Sequence, residues 1–311
     1  MGSILIIGSS NTDMVVKTRD FPTPGQTVLG GQFFMFPGGK GANQAVSAAR
    51  FCEQEESGMG KKITFITKLG TDIFGDKSLT GFESAGIDTR YILRDEQHPS
   101  GVALITLNDQ GENHIVVAPG ANYSLSPADL DLAELAFLEA EFVLMQLEIP
   151  LETIIYAAGK AHQLGKKILV NPAPAQVLPD DLFPKLFLFT PNETEAGFYT
   201  GLEIKDMSAA RDAATILLQK GVSNVVITLG SQGAFFKNST EEMMIPAPQV
   251  NAVDTTAAGE VFNGALCVAI SEGMPWKDAL DLACRAAAFS VTRMGAQSSA
   301  PTRKELDLFT V

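Results

Sequence analysis

The stretch Asp254-Thr255-Thr256-Ala257-Ala258-Gly259-Glu260-Val261-Phe262-Asn263-Gly264-Ala265 joins a polar loop to a helix-length apolar segment. Thr255 or Thr256 can cap such a helix. Ala257, Ala258 and Gly259 carry almost no side chain, so the amides of the first turn stay accessible. Free amides together with the helix dipole make an anion site. Glu260 falls beside that site, where a carboxylate can accept a hydroxyl proton while the amides hold developing negative charge. The same residues suit an ordinary capped helix packed on a sheet, and this segment alone leaves the two readings equal.

Working outward, apolar runs alternate with helix-length segments. Ile4–Ile7, Ile63–Thr67, Phe142–Met145, Lys167–Val170, Leu186–Phe189 and Val225–Leu229 read as buried strands. Helical segments lie between or beyond them, near 40–52, 74–85, 151–164, 207–220, 257–272 and 277–293. That rhythm predicts an α/β fold, a mostly parallel sheet with helices on both faces. Ligands of such sheets collect at the carboxyl ends of the strands. Two regions break the pattern. Thr12–Lys17 with Thr27–Phe36, and Val102–Asn108 with Asn113–Ala118, read as short strands without helices between them. Asn108-Asp109-Gln110-Gly111 suits a hairpin turn. These strands, within about 12–36 and 101–119, predict a small antiparallel β lid able to exclude water. Glu53–Gly60 reads as a polar surface loop, and no repeat or low-complexity linker divides the chain.

A second glycine-bearing segment is Pro37-Gly38-Gly39-Lys40-Gly41-Ala42-Asn43-Gln44-Ala45. Consecutive glycines permit close backbone approach, and the Asn43 amide can meet hydroxyls on two sides. It is not a Walker A loop, because Phe34 occupies the first glycine position and Gly41 stands where Ser or Thr is required. It is not G-x-G-x-x-G either, since Gln44 replaces the last glycine, which weakens a nicotinamide dehydrogenase reading. Asn11-Thr12-Asp13 after the first strand offers an amide and a carboxylate that suit a polyol, or a turn cap equally well. Glu148 also follows a strand, with a solvated loop acid as its plain reading. Asn192-Glu193-Thr194-Glu195 has capping-box spacing, and it could equally place a carboxylate near a magnesium–phosphate cluster. Gly230-Ser231-Gln232-Gly233 is a turn that can meet a phosphate or a ribose.

Composition narrows the classes. The chain has 311 residues, 45% of them hydrophobic and 19% charged, with a net charge of −13 and a pI of about 4.7. An acidic surface repels nucleic acid, so a phosphorylated ligand must be held by local amides or a cation. The cysteines Cys52, Cys267 and Cys284 form no C-x-x-C pair, and the histidines His98, His114 and His162 form no metal constellation. Buried thiols in a reducing, cytoplasmic compartment are expected. The start reads as a strand rather than a signal peptide, and no stretch of 18 apolar residues predicts a membrane span.

In this order and spacing the segments resemble the ribokinase-like carbohydrate kinase family, which also holds fructokinases and adenosine kinase. The resemblance runs from Ile4 to Leu308, and Gly38–Ala45 with Asp254–Ala265 are specific as a pair. Gly120-Ala121-Asn122, Asn171-Pro172-Ala173-Pro174 and Val291-Thr292-Arg293-Met294-Gly295-Ala296-Gln297 add to it. It implies a single kinase domain over 1–311, a three-layer α/β/α sandwich whose lid often forms a homodimer interface. The implied reaction moves the terminal phosphoryl group of ATP to the 5-hydroxyl of D-ribose. Alternatives are another sugar or a nucleoside, or a regulatory protein that binds sugar or nucleotide with little turnover. By resemblance, Asn11, Asp13, Gly39, Lys40, Asn43 and Glu148 line the sugar site. Asn192, Thr228, Gly230, Ser231 and Gly233 contact ATP, with Cys284 near the adenine, where the family often has a polar residue. Glu195 helps order Mg2+. Ala257, Ala258 and Gly259 form the anion hole, and Glu260 takes the base position. Asp254, Thr256, Ser290, Arg293, Gly295 and Ser299 mark an implied K+ site. The family pattern Gly-Asp-Thr-Phe appears here as Gly259-Glu260-Val261-Phe262. The acid is retained but reaches one methylene further, roughly 1 Å, a displacement able to cost about 10²-fold in rate. Ala257 also replaces the glycine of the wider family.

Overall fold

Ser3–Ile7 (β1) has both faces buried, with Ile4 and Ile6 in one core and Leu5 and Ile7 in another. Such a strand needs helices on both sides, and this fixes the layering. The structure, a computed structural model, describes residues 3–29, 31–52 and 61–309. The segment Glu53–Gly60 read above as a loop lies outside the described residues.

The remaining strands are β2 (Asn11–Lys17), β3 (Gln32–Gly38), β4 (Ile63–Gly70), β5 (Ile92–Asp95), β6 (Gly101–Leu107), β7 (Asn113–Ala118), β8 (Ala140–Met145), β9 (Lys167–Val170), β10 (Leu188–Phe189), β11 (Asn224–Thr228), β12 (Ala234–Asn238) and β13 (Glu242–Ile245). The helices are α1 (Lys40–Phe51), α2 (Ile73–Ser84), α3 (Pro127–Asp131), α4 (Glu134–Glu139), α5 (Leu151–Gln163), α6 (Glu193–Thr200), α7 (Met207–Gln219), α8 (Ala258–Ser271), α9 (Trp276–Ser290) and α10 (Arg303–Asp307). The main sheet runs β13-β12-β11-β10-β9-β8-β1-β4-β5, parallel except for the β12 and β13 pairings at one edge. Buried residues of α1, α2, α8 and α9 share the core of Ile4 and Ile6, and those of α3 to α7 share the core of Leu5 and Ile7. Strand order reverses between β1 and β8, the crevice where ligands of open α/β sheets bind.

The lid runs β3-β2-β6-β7. Its outer pairings are antiparallel as expected, whereas β2 and β6 pair in parallel. The reason is local. Each leaves the main sheet soon after one of its strands, β2 after β1 and β6 after β5, so both run outward together. The strand expected at Thr27–Phe36 forms instead at Gln32–Gly38. Asp13 is in register with Phe36 and Ala103 on one lid face. Met14, Met35, Leu104 and Val116 share the opposite face, on which Met35, Leu104 and Val116 are exposed.

Candidate active site

The two glycine-bearing segments converge because backbone packs on backbone. Gly39 has φ +87°, and a Cβ there would lie 2.6 Å from Asn11 N and 2.7 Å from Ser10 Cα. A Cβ on Gly41 would lie 2.6 Å from Gly8 C and Ser9 N. Glycine is required at Gly39 for both its conformation and its contact. The approach starts α1 against the carboxyl end of β1 and presents Lys40 and Asn43 to the crevice.

Four charged groups meet there. Lys40 Nζ lies 2.9 Å from Glu260 Oε1, joining residues 220 positions apart. Glu148 Oε2 accepts the Lys40 N–H at 3.0 Å and the Ser9 hydroxyl at 2.6 Å. Asp13 packs against Gly38, where a Cβ would overlap its carboxylate. Burial, followed by the charges of Glu148 and Glu260, pushes Asp13 up to about 6. The Glu260 charge holds Lys40 above the usual lysine range, against the effect of burial. Asn43 Oδ1 is buried close to this cluster without a hydrogen-bond partner in the chain. A cavity of about 140 Å³ adjoins this cluster and is lined by Asn11, Asn122 and Glu148 beside the apolar Val117, Leu147 and Pro174. Amide and carboxylate groups on the wall of a small cavity, with a cation beside it, suit a polyol.

The helix carrying Glu260 begins as expected, but not by the expected cap. Neither Thr255 nor Thr256 caps it. Ala257 is the N-cap in the left-handed region at φ 62°, with no side-chain cap bond, and Asp254 Oδ1 accepts the Thr256 N–H at 3.0 Å. A threonine cap needs extended backbone, which the left-handed Ala257 replaces. A Cβ added at Gly259 would meet nothing within 4 Å, so the space before the first turn is open. Asp254 Oδ2 also accepts the Gly295 N–H at 2.9 Å, tying this loop to the one after α9. Ser290 and Ser299 donate to Ala287 O and Ala296 O, and Arg293 pairs with Glu305 at 2.9 Å. The Arg293 side chain is thus engaged elsewhere, so any oxygen that Arg293 or Gly295 offers a cation is backbone carbonyl, whereas Asp254, Thr256, Ser290 and Ser299 also carry side-chain oxygen. Such oxygens can replace the hydration shell of K+.

On the other flank, Asn192 and Thr228 bridge the ends of β10 and β11. Asn192 and Glu195 form a reciprocal capping box with bonds of 2.8 and 2.9 Å. Burial raises Glu195 to about 6, with Lys40 and Glu260 close enough to act on it, so it belongs to the same cleft. Gly230 and Ser231 are exposed in the following turn, and Gly233 (φ 112°) packs its backbone under Ile245 and Ala247. Cys284 is set apart from these residues. It is 4% exposed in the core around α8 and α9, where burial pushes its thiol up to about 12. Among the described residues no cluster of three or more His, Cys, Asp or Glu could cage a metal. Magnesium usually binds through substrate phosphates and one or two carboxylates, and Glu195 is the buried carboxylate this flank would offer it.

Ser9 and Asn122 are site residues that sequence reading left without a role. Ser9 has no local signal, and Asn122 lies in Gly120-Ala121-Asn122, whose sequence carries family resemblance but no chemical role of its own.

A lidded crevice at the switch point, with an acid at an open helix head, defines a class: phosphotransferases acting on an alcohol. Comparison with known proteins agrees. Residues 1–303 match the family model described as pfkB family carbohydrate kinase. The ribokinase of Haemophilus influenzae is 41% identical over 97% of this chain and 96% of its own length. The deoxyribokinase of Salmonella typhi is 38% identical over 98% and 97%. The structure of Arabidopsis thaliana ribokinase complexed with ribose and ATP superposes with a TM-score of 0.88, at 29% identity, covering 99% of each chain. The chain belongs to the pfkB family of carbohydrate kinases.

Proposed function

We propose that this chain is an ATP-dependent ribose kinase, a single domain over residues 1–311 that phosphorylates D-ribose at its 5-hydroxyl to give ribose 5-phosphate. The observation that carries the reading is Glu260, buried to 8% exposure at the open helix head and paired with Lys40, whose backbone N–H is held by the cavity-lining Glu148. Asn11, Asp13, Gly39, Lys40, Asn43 and Glu148 bind and orient the sugar. The 5-hydroxyl enters between Glu260 and the ATP terminus, and Glu260 Oε1 accepts its proton. The amides of Ala257, Ala258 and Gly259 hold charge on the transferring group. Asn192, Thr228, Gly230, Ser231 and Gly233 hold the nucleotide, with Cys284 at most edging the adenine. When bound, magnesium neutralises the phosphates, and Glu195 is the carboxylate this chain offers it. Potassium would sit among the oxygens of Asp254, Thr256, Ser290, Arg293, Gly295 and Ser299. The closed lid keeps water from competing with the sugar.

A coupled ADP-release assay over a sugar panel, with and without K+, tests the reading. Ribose-dependent ADP formation well above the sugar-free rate is the expected result. No sugar-dependent release would leave a binding or regulatory role. 2-Deoxyribose belongs in the panel because a deoxyribokinase is among the relatives.

Gly259→Ala separates the anion hole from the fold. The site of the new methyl is open in the protein alone, and helical alanine is favoured over glycine by about 0.5–1 kcal/mol. Thermal stability should hold or rise while kcat falls at least about 10-fold, as for a lost anion-hole donor. A normal kcat would place the transferring phosphate elsewhere.

The apolar outer lid face, with Leu104 and Val116 exposed, supports a homodimer through the lid. Sedimentation velocity should show a dimer that Leu104→Lys converts to monomer. No described helix is long and apolar enough to cross a membrane. Reduced thiols and an acidic composition suit a cytoplasmic enzyme that binds small molecules rather than nucleic acid.

A further inference from the structure

Asn122 sits in the short turn Gly120–Ser124 after β7 and is 1% exposed. Its amide orientation is set by backbone groups. Oδ1 accepts the Ser10 N–H at 2.8 Å, and Nδ2 donates to Ser10 O at 3.0 Å. A reversed amide would set NH2 against N–H and C=O against C=O, so one orientation alone is compatible. The other Nδ2 hydrogen meets Asn11 Oδ1 at 2.8 Å. Asn11 Oδ1 is thereby engaged, and Nδ2 is the group left for the cavity that Asn11 and Glu148 both line. Gly101 makes the pairing possible, because a Cβ there would overlap both Asn11 Oδ1 and Asn122 Nδ2.

We infer that Asn122 is a positioning residue that fixes Asn11 as a hydrogen-bond donor toward the sugar. The wall of the site then has a set polarity. Asn11 donates, and the Glu148 carboxylate, already receiving the Ser9 hydroxyl and the Lys40 N–H, accepts. A sugar hydroxyl can accept from the first and donate to the second. A bare hydrogen can do neither, and a carbonyl oxygen can only accept. Specificity for a hydroxylated sugar at this wall is thus set by Asn122 acting through Asn11. The inference rests on the sugar-kinase reading above.

The test reverses the polarity in two ways. In Asn122→Asp the new carboxylate cannot donate to Asn11, whose amide must turn and present Oδ1 beside Glu148. In Asn11→Asp the Asn122 donor is satisfied by a carboxylate that shows an acceptor to the cavity, and the turn around Asn122 is undisturbed. Both variants should raise the KM of the sugar that wild type turns over best by about 10–100-fold, with kcat within about 3-fold, as for a polar site left mispaired. In an Asn11→Ala background, Asn122→Asp should add less than about 2-fold, because residues acting through one contact are not additive. An equal loss in both backgrounds would overturn the inference, as would an unchanged KM in Asn11→Asp. If Asn122→Asp does not fold, the Asn11→Asp KM decides. If wild type releases no ADP with any sugar, the kinase reading fails instead, and the same variants are compared by calorimetric ribose binding with the same expected ratios.

Discussion

Glu260→Gln is expected to lower kcat by about 10³-fold while the ribose KM stays within a few-fold. Glutamine keeps the length of the side chain and an oxygen that can accept from Lys40, so the 2.9 Å contact and the cavity shape survive. What is lost is the proton acceptor. The helix-head amides and the sugar contacts are untouched, and the loss should fall on the chemical step. Steady-state ADP release over a ribose titration reads both constants. Unchanged turnover would remove Glu260 from the base role, and a large KM effect with normal kcat would make it a sugar-orienting residue. Glu260→Asp provides the contrast. It draws the carboxylate back by one methylene, roughly 1 Å, away from the Lys40 ammonium that the longer arm reaches. The freed carboxylate should give a kcat at or above that of wild type.

That contact marks the boundary of what the sequence discloses. The alternation of apolar runs with helical lengths placed β1, β4, β8, β9 and β11 and the six long helices closely, because burial on two faces is written into runs of four to eight mostly apolar residues. The edge hairpin β12–β13 went unread, since its short strands flank a polar turn and lack a long apolar run. Helix α6 was legible only as its capping box, because eight residues that include an exposed Phe198 carry little periodicity. The site divides along the same line. The glycines announced close approach, and Gly39 and Gly41 do carry backbone against backbone. Lys40 with Glu260, Ser9 with Glu148, and Asn122 with Asn11 pair residues more than a hundred positions apart. Contacts of that kind have no local periodicity, and they arise only when the switch point brings the strand ends together.

Asp13→Asn should make the protein more stable and nearly inactive. Asp13 is an acid whose folded value, about 6, lies above its ordinary 3.8, with burial as the main cause and Glu148 and Glu260 adding to it. The folded protein therefore holds a proton that the unfolded chain has released between those two values. Stability falls as pH rises through that window, and at pH 7 the whole penalty is present, at most about 3 kcal/mol. Asparagine has nearly the same shape, no charge to desolvate and no repulsion from the two glutamates. Thermal denaturation at pH 7 should show a midpoint raised by several degrees, and the gain should vanish below about pH 4, where wild-type Asp13 is protonated in both states. The same substitution replaces a charged acceptor facing the sugar by an amide, and a hydrogen bond to a charged group is worth about 1.5–3 kcal/mol. With kcat/KM for ribose consequently down by about 10²-fold or more, the variant would separate what this carboxylate does for the sugar from what it costs the fold. An unshifted midpoint at pH 7 would show that Lys40 already neutralises the cluster. For wild type the sign also fixes the acid limb of activity: ribose KM should climb as pH drops below about 6, when Asp13 gains its proton and can no longer accept two hydroxyls.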